Sequence, residues 1–171
     1  PNDSRLDLFP DDTAELADQT VAVHLANVAN VAASSYGGRI IYTAEDAPGF
    51  AIDGDPSTAW RAGIAEHSVG VRWVVDFVAP EDLDLLRLLQ PQVGANDRVI
   101  TRINVRTDTG ASEFELNESS RTGSGQVLDL SAAGVGGLTR QLEIEVLSDN
   151  LGDLASYVGR PGVGFAEVSP V

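Results

Sequence analysis

The sequence predicts an all-β protein, an antiparallel β-sandwich of the jelly-roll kind. Two observations carry that reading. Apolar residues recur with period two through several short runs, which gives a strand one buried and one wet face. Turn residues punctuate those runs closely, with 17 Gly and 8 Pro among 171 residues. No helical period extends beyond residue 20, and no internal repeat or low-complexity tract interrupts residues 20–171.

Residues 1–19 are polar and acidic and read as a tail or a short helix. Asp12 with Glu15 has the spacing of a capping box over Ala14 to Ala17. The period-two pattern starts at Val21, Val23 and Leu25, against Ala22, His24 and Ala26. It returns in Val71, Trp73, Val75 and Phe77, set against Arg72, Val74 and Asp76. It returns again in Val99, Thr101, Ile103, Val105 and Thr107, set against Ile100, Arg102, Asn104 and Arg106. A last run sets Leu142, Ile144 and Val146 against Glu143, Glu145 and Leu147. Turns are expected at Tyr36-Gly37-Gly38, Gly94 to Asp97, Asp108-Thr109-Gly110, Thr122 to Gly125 and Gly134 to Gly137. One domain over residues 20–171 is of ordinary size for a single core.

Charge narrows the partners. With 26 acids against 11 bases the net charge is −15. That disfavours nucleic acid and anionic membranes, which ask for a basic patch, and suits divalent cations. No apolar run approaches the ~20 residues of a membrane span, so direct membrane insertion by this segment is not expected. The absence of Cys removes disulfides, thiolate metal sites and Cys nucleophiles. The absence of Met, even at position 1, suggests an excised piece or a processed product of a larger protein.

The richest segment is AIDGDPSTAWRAG, Ala51 to Gly63. Calcium takes six to eight oxygens, and an acidic turn supplies them compactly. Gly54 permits a sharp bend and Pro56 stiffens it, so that Asp53, Asp55 and Thr58 can turn oxygens inward. The segment is not an EF-hand, because the sixth position from Asp53 is Thr58 rather than Gly and the twelfth is Ile64 rather than Glu. Taken alone, two acids in a turn also fit a plain solvated loop.

A second block, Val163 to Val168 (VGFAEV), changes that balance. The early DGDxxTxW block followed by a late AE pair resembles the discoidin-like (F5/8 type C, galactose-binding-like) domains over residues 20–171. The resemblance implies a structural calcium ion held by the Phe50 carbonyl, Asp53, Asp55, Thr58, the Ala166 carbonyl and Glu167. Four stretches are similar to the modules appended to actinobacterial cell-envelope α-(1→3)-arabinofuranosyltransferases: Ser34 to Gly63, Leu88 to Pro91 (LLQP), Asp97 to Asp108 (DRVITRINVRTD) and the VGFAEV block. That implies an extracytoplasmic, non-catalytic carbohydrate-binding module, tethered to the cell envelope through a membrane-anchored parent. Its implied partners are arabinan or a related envelope glycan and the parent's other domains. The alternative is a structural or protein-interaction module of the same fold that binds no sugar.

Sugar-binding members of the family carry a polar residue after the Trp, here Arg61. They carry an Arg and then an Asn in the loop before a central strand, here Gln92 and Asn96. An aromatic residue before the final strand stacks on the ring, and Tyr157 takes that place. The departures at Arg61 and Gln92 point away from galactose and toward another sugar, such as arabinofuranose. Bland roles compete with these. Trp60 and Trp73 are expected in the core, and Arg61 either pairs with an acid or meets a ligand. Tyr36 and Tyr42 flank a Gly-rich hairpin where they could be exposed, with half-buried strand residues the favoured reading. His24 and His67 have no partner at metal-ligand spacing.

No catalytic residue is assigned. GxSxG and HExxH are absent, and Gly134 to Leu138 (GVGGL) opens no helical pattern, so it fails as a dinucleotide loop. A glycosidase-type carboxylate pair stays open among so many acids, although Glu113/Glu115 and Glu143/Glu145 fit solvated strand faces.

Overall fold

The computed structural model describes residues 27–37, 43–63, 68–91, 94–153 and 162–171. The strand expected over Val21 to Leu25 and the capping box at Asp12 and Glu15 lie outside the described residues, as do Tyr42, His24 and His67. Ten strands run in chain order: β1 (Val28–Ala33), β2 (Trp60–Arg61), β3 (Arg72–Asp82), β4 (Leu85–Leu89), β5 (Ile100–Thr107), β6 (Gly110–Glu115), β7 (Gln126–Asp129), β8 (Leu138–Asp149), β9 (Gly164–Phe165) and β10 (Glu167–Pro170). The only helical pieces among the described residues are short 3-10 turns at Ala44–Asp46, Pro48–Ala51 and Glu118–Arg121.

These strands form a five-stranded sheet in the order β1-β3-β8-β5-β6, a three-stranded sheet β10-β4-β7, and a small pair β2-β9. Every pairing is antiparallel. The alternation seen in the sequence decides which face of the large sheet turns inward. Trp73 and Val75 of β3, Ile103 and Val105 of β5, and Leu142, Ile144 and Val146 of β8 are buried. Leu86, Leu88, Leu128 and Val168 meet them from the smaller sheet.

The opposite face of the large sheet carries cross-strand ion pairs, Arg72 with Glu145 and Arg106 with Glu143, each at 3.5 Å. Glu113 and Glu115 stand exposed, as a solvated strand face requires. Ile100 departs from the alternation. It is buried although the pattern put it on the wet face, because the β5–β8 register shifts between Ile100 and Arg102. A bulge there turns two successive residues inward.

Both tryptophans lie fully in the core, as expected. Each indole N–H finds a carbonyl, Trp60 that of Ser35 at 3.1 Å and Trp73 that of Pro48 at 2.9 Å. A buried indole donor left unpaired would be costly. Trp60 also packs on Phe165, with ring centroids 5.7 Å apart. Gln90 is buried between the sheets and fully engaged. Its amide donates to the Ile100 carbonyl and to Ser120 Oγ and accepts from the Ile100 N–H. That one side chain ties the end of β4 to the start of β5.

The registers bring several loops to one end of the sandwich. Ala33 at the end of β1 faces Trp73 near the start of β3, and Ile100 at the start of β5 faces Asp149 at the end of β8. Strand β2 joins this end, since Gly37 N–H donates to the Arg61 carbonyl and Gly63 N–H donates to Ser35 Oγ.

Candidate functional site

The acidic turn and the start of β10 meet. Gly54 has φ +78, a conformation that suits glycine, and this bends the turn sharply. The bend closes on itself: Asp53 Oδ1 accepts the Asp55 N–H at 2.9 Å, and Asp53 Oδ2 accepts from Thr58 Oγ1 at 2.7 Å. Thr58 Oγ1 also lies 2.9 Å from the Asp55 carbonyl.

Glu167 arrives from the other direction. Burial pushes its carboxyl pKa up, and the nearby negative charge of Asp53 pushes it further. The Gly54 N–H and the charge of Arg87 act against that rise. Glu167 Oε2 is buried and has no hydrogen-bond partner among the described residues. Two facing carboxylates, one of them with an orphaned oxygen, and a nearby threonine hydroxyl are the all-oxygen surroundings a hard cation takes. The residues present therefore fit a calcium ion.

The structure brings Asp53, Thr58 and Glu167 together. It turns Asp55 partly aside, because Asp55 Oδ1 accepts from both the N–H and Oγ of Ser57, and those bonds hold its carboxyl pKa below the ordinary range. No group of three or more His, Cys, Asp or Glu side chains converges among the described residues. Backbone carbonyls would have to complete the shell. Phe50 lies in the 3-10 turn Pro48–Ala51, just before the acidic turn, and Ala166 is tied to β4 by its N–H on the Leu89 carbonyl at 2.7 Å.

Arg61 and Asn96 both sit at the loop end. The Arg61 guanidinium pairs with Asp46 at 3.4 Å, the side chains being 32% and 10% exposed. Asp46 is itself braced by Thr43 Oγ1 at 2.7 Å. Arg61 is thus paired and still reachable from solvent. Asn96 is exposed at the tip of the Gly94 to Asp97 turn. Gln92 and Tyr157 lie outside the described residues. Tyr36 corrects the expectation of a half-buried strand residue: it follows β1 in a loop at this end and is 42% exposed.

Sequence reading missed the network beneath these loops. Arg98 and Asp149 form a buried ion pair at 2.6 Å, and Ser68 hydrogen-bonds to both. A cleft of about 270 Å³ opens beside them, walled by Val69, Ser148 and Leu151. Only the charged position 98, standing directly before an apolar strand, hints at this in the sequence; its partner arrives by strand pairing.

No protein-family model matches the chain, and no curated protein sequence does. Solved structures do. The chain is similar to the arabinofuranosyltransferase AftD from Mycobacteria, with a TM-score of 0.59 and 19% identity over 82% of this chain and 10% of that one. It is similar to the family 32 carbohydrate-binding module of AlyQ, solved with 4,5-unsaturated mannuronic acid, with a TM-score of 0.55 and 15% identity over 85% and 96% of the two chains. It is also similar to the family 32 module of C. perfringens NanJ, solved with galactose, with a TM-score of 0.52 and 14% identity over 81% and 90%. The chain thus spans 10% of the length of the AftD chain it matches. The sheet order and these likenesses agree that the chain has the discoidin-like jelly-roll fold of the family 32 modules, a fold that also recurs within AftD.

Proposed function

We propose that this chain is a non-catalytic carbohydrate-binding module of a cell-envelope arabinofuranosyltransferase, stabilised by calcium and exposed outside the cytoplasm. The observation that carries the reading is the convergence of loops at one end of a rigid sandwich. That end presents Arg61, braced by Asp46, and Asn96 at the tip of a short turn. Planar guanidinium and amide groups there suit the vicinal hydroxyls of a sugar, and the exposed apolar side chains Val69 and Leu151 suit its C–H faces. The likeness to modules solved with galactose and with unsaturated mannuronic acid supports a sugar ligand. The likeness to AftD supports arabinan or a related envelope glycan.

Asp53, Asp55, Thr58 and Glu167, with the Phe50 and Ala166 carbonyls, would hold the calcium ion, whose positive charge would offset the repulsion between Asp53 and Glu167. Its role is to staple the acidic turn to β10. The module itself works by avidity. A weak site on a tethered domain raises the local concentration of acceptor chains near a catalytic domain.

The test is a set of thermal melts of the protein with calcium, with chelator, and with calcium plus arabinofuranose oligosaccharides or simple hexoses. A ligand that binds only the folded state raises the melting temperature. A rise with calcium and a further rise with one glycan class support the reading. No response to any glycan supports a protein-interaction module instead, and no response to calcium removes the metal from the proposal.

A further inference from the structure

We propose that Asn150 is the positioning residue for the loop that presents Asn96, an inference resting on the glycan-binding reading of that loop. Asn150 directly follows β8. Its side-chain Nδ2 donates to the Asp97 carbonyl at 3.0 Å, and its Oδ1 accepts the Val99 N–H at 2.8 Å. Its own backbone N–H donates to the Val99 carbonyl at 3.1 Å. One residue thus clips both sides of Arg98, as a neighbouring strand would.

Arg98, between the two clipped residues, is turned inward. Its Nη2 and Nε lie 2.6 and 3.1 Å from Asp149 Oδ2. Residues 97, 98 and 99 are therefore each fixed to the Asp149-Asn150 pair. Above this base the loop closes on itself, with Asp97 N–H on the Gly94 carbonyl at 3.2 Å and Gly94 N–H on Asp97 Oδ2 at 2.9 Å. Ala95 and Asn96 are left exposed at the tip.

The residue type follows from the task. An amide offers a donor and an acceptor in one plane, and the clip uses both. Aspartate keeps the acceptor for Val99 N–H and loses the donor for Asp97; alanine loses both. Asn150 reaches no further than the base of the loop in these bonds, so it acts through the loop. A loop ordered before binding spares the ligand the entropy of ordering it.

Two measurements on the whole chain test this. The first is amide hydrogen exchange of residues 94–99 without ligand. Asn150→Asp is expected to speed exchange there by about tenfold, the factor for losing roughly one net hydrogen bond, and Asn150→Ala by more, with β3 and β8 still protected. Unchanged exchange at 94–99 in both variants overturns the proposal. The second is affinity for arabinofuranose oligosaccharides in a double-mutant cycle with Asn96→Ala. Asn150→Ala is expected to weaken binding about tenfold in the wild type and to cost nothing further once Asn96 is gone. Additive losses overturn the proposal. Wild-type protein that retains no glycan refutes the glycan-binding reading, and the exchange result still decides the role of Asn150.

Discussion

Arg98 and Asp149 meet at 2.6 Å with each side chain only 6% exposed. A buried pair of this kind returns little net stability against well-packed apolar residues, but breaking it strands a charge. Asp149→Ala, which leaves Arg98 buried and unpaired, is therefore expected to destabilise the domain by about 3–5 kcal/mol in denaturant titrations. The double replacement Arg98→Met with Asp149→Leu is expected to cost less than that single change. An additive result would show that the two side chains act independently.

Acid should expose the same pair. Burial raises the Asp149 carboxyl pKa, but hydrogen bonds from Ser68, the Leu151 N–H and Arg98, with the charge of Arg98, bring it below the ordinary value. The unfolded chain takes up this proton near pH ~3.9, and the folded chain takes it up lower. The stability from Asp149 is thus complete above the ordinary carboxyl range and is lost as pH falls through the folded value. Melting temperature against pH should fall more steeply below about pH 4 in the wild type than in Asp149→Asn.

Replacing Glu167 should have effects of opposite sign with and without metal. In chelator, Glu167→Gln removes a half-buried charge that faces Asp53, so its melting temperature should equal or exceed that of the wild type. In calcium at a hundredfold excess over Kd, the wild type should gain about 5–10 °C and the variant should not. Equal gains in both proteins would place the ion elsewhere.

Arg61 separates stability from recognition. Its partly exposed pair with Asp46 at 3.4 Å is worth at most about 1 kcal/mol. Arg61→Ala should melt within a few degrees of the wild type, roughly 2–4 °C for a domain of this size. Its retention on arabinan should nevertheless fall. Full retention would remove Arg61 from the site.

Gly164 and Gly49 should respond very differently to alanine. A methyl group on Gly164 would overlap the Trp60 carbonyl oxygen, which is backbone and cannot move aside without breaking the β2–β9 pair. A methyl group on Gly49 meets open space. Gly164→Ala should abolish cooperative melting or lower stability by more than about 3 kcal/mol. Gly49→Ala should be neutral or stabilising by up to about 1 kcal/mol.

Three strands of the large sheet, β3, β5 and β8, were legible because one face of each is dry and the other wet. Residues 71–77, 99–107 and 142–146 carry that contrast in plain alternation. Strand β4 does not. Its LLRLL run puts leucine on both faces, and only burial in the fold separates Leu86 and Leu88 from half-covered Leu85 and Leu89. Tyr36 was misread because a tyrosine beside glycines fits a strand end as well as a loop. The acidic turn was legible because Asp53, Asp55 and Thr58 are neighbours in the chain. The brace from Asp46 to Arg61 and the clip from Asn150 to Val99 join residues that only the fold brings together, so no local pattern announces them.

The pairing of Trp60 with Phe165 has a consequence for how the protein is made. Contacts between such distant parts of a chain form late, because a long loop must close first, and proteins built on them fold slowly. A ribosome will have synthesised the acidic turn, Arg61 and the whole large sheet before residues 164–170 emerge to complete the second sheet. Until then the part of the core that Phe165 and Val168 cover stays open and prone to aggregation. The loops around Arg61 are therefore expected to be among the last parts to become structured, although they are encoded early.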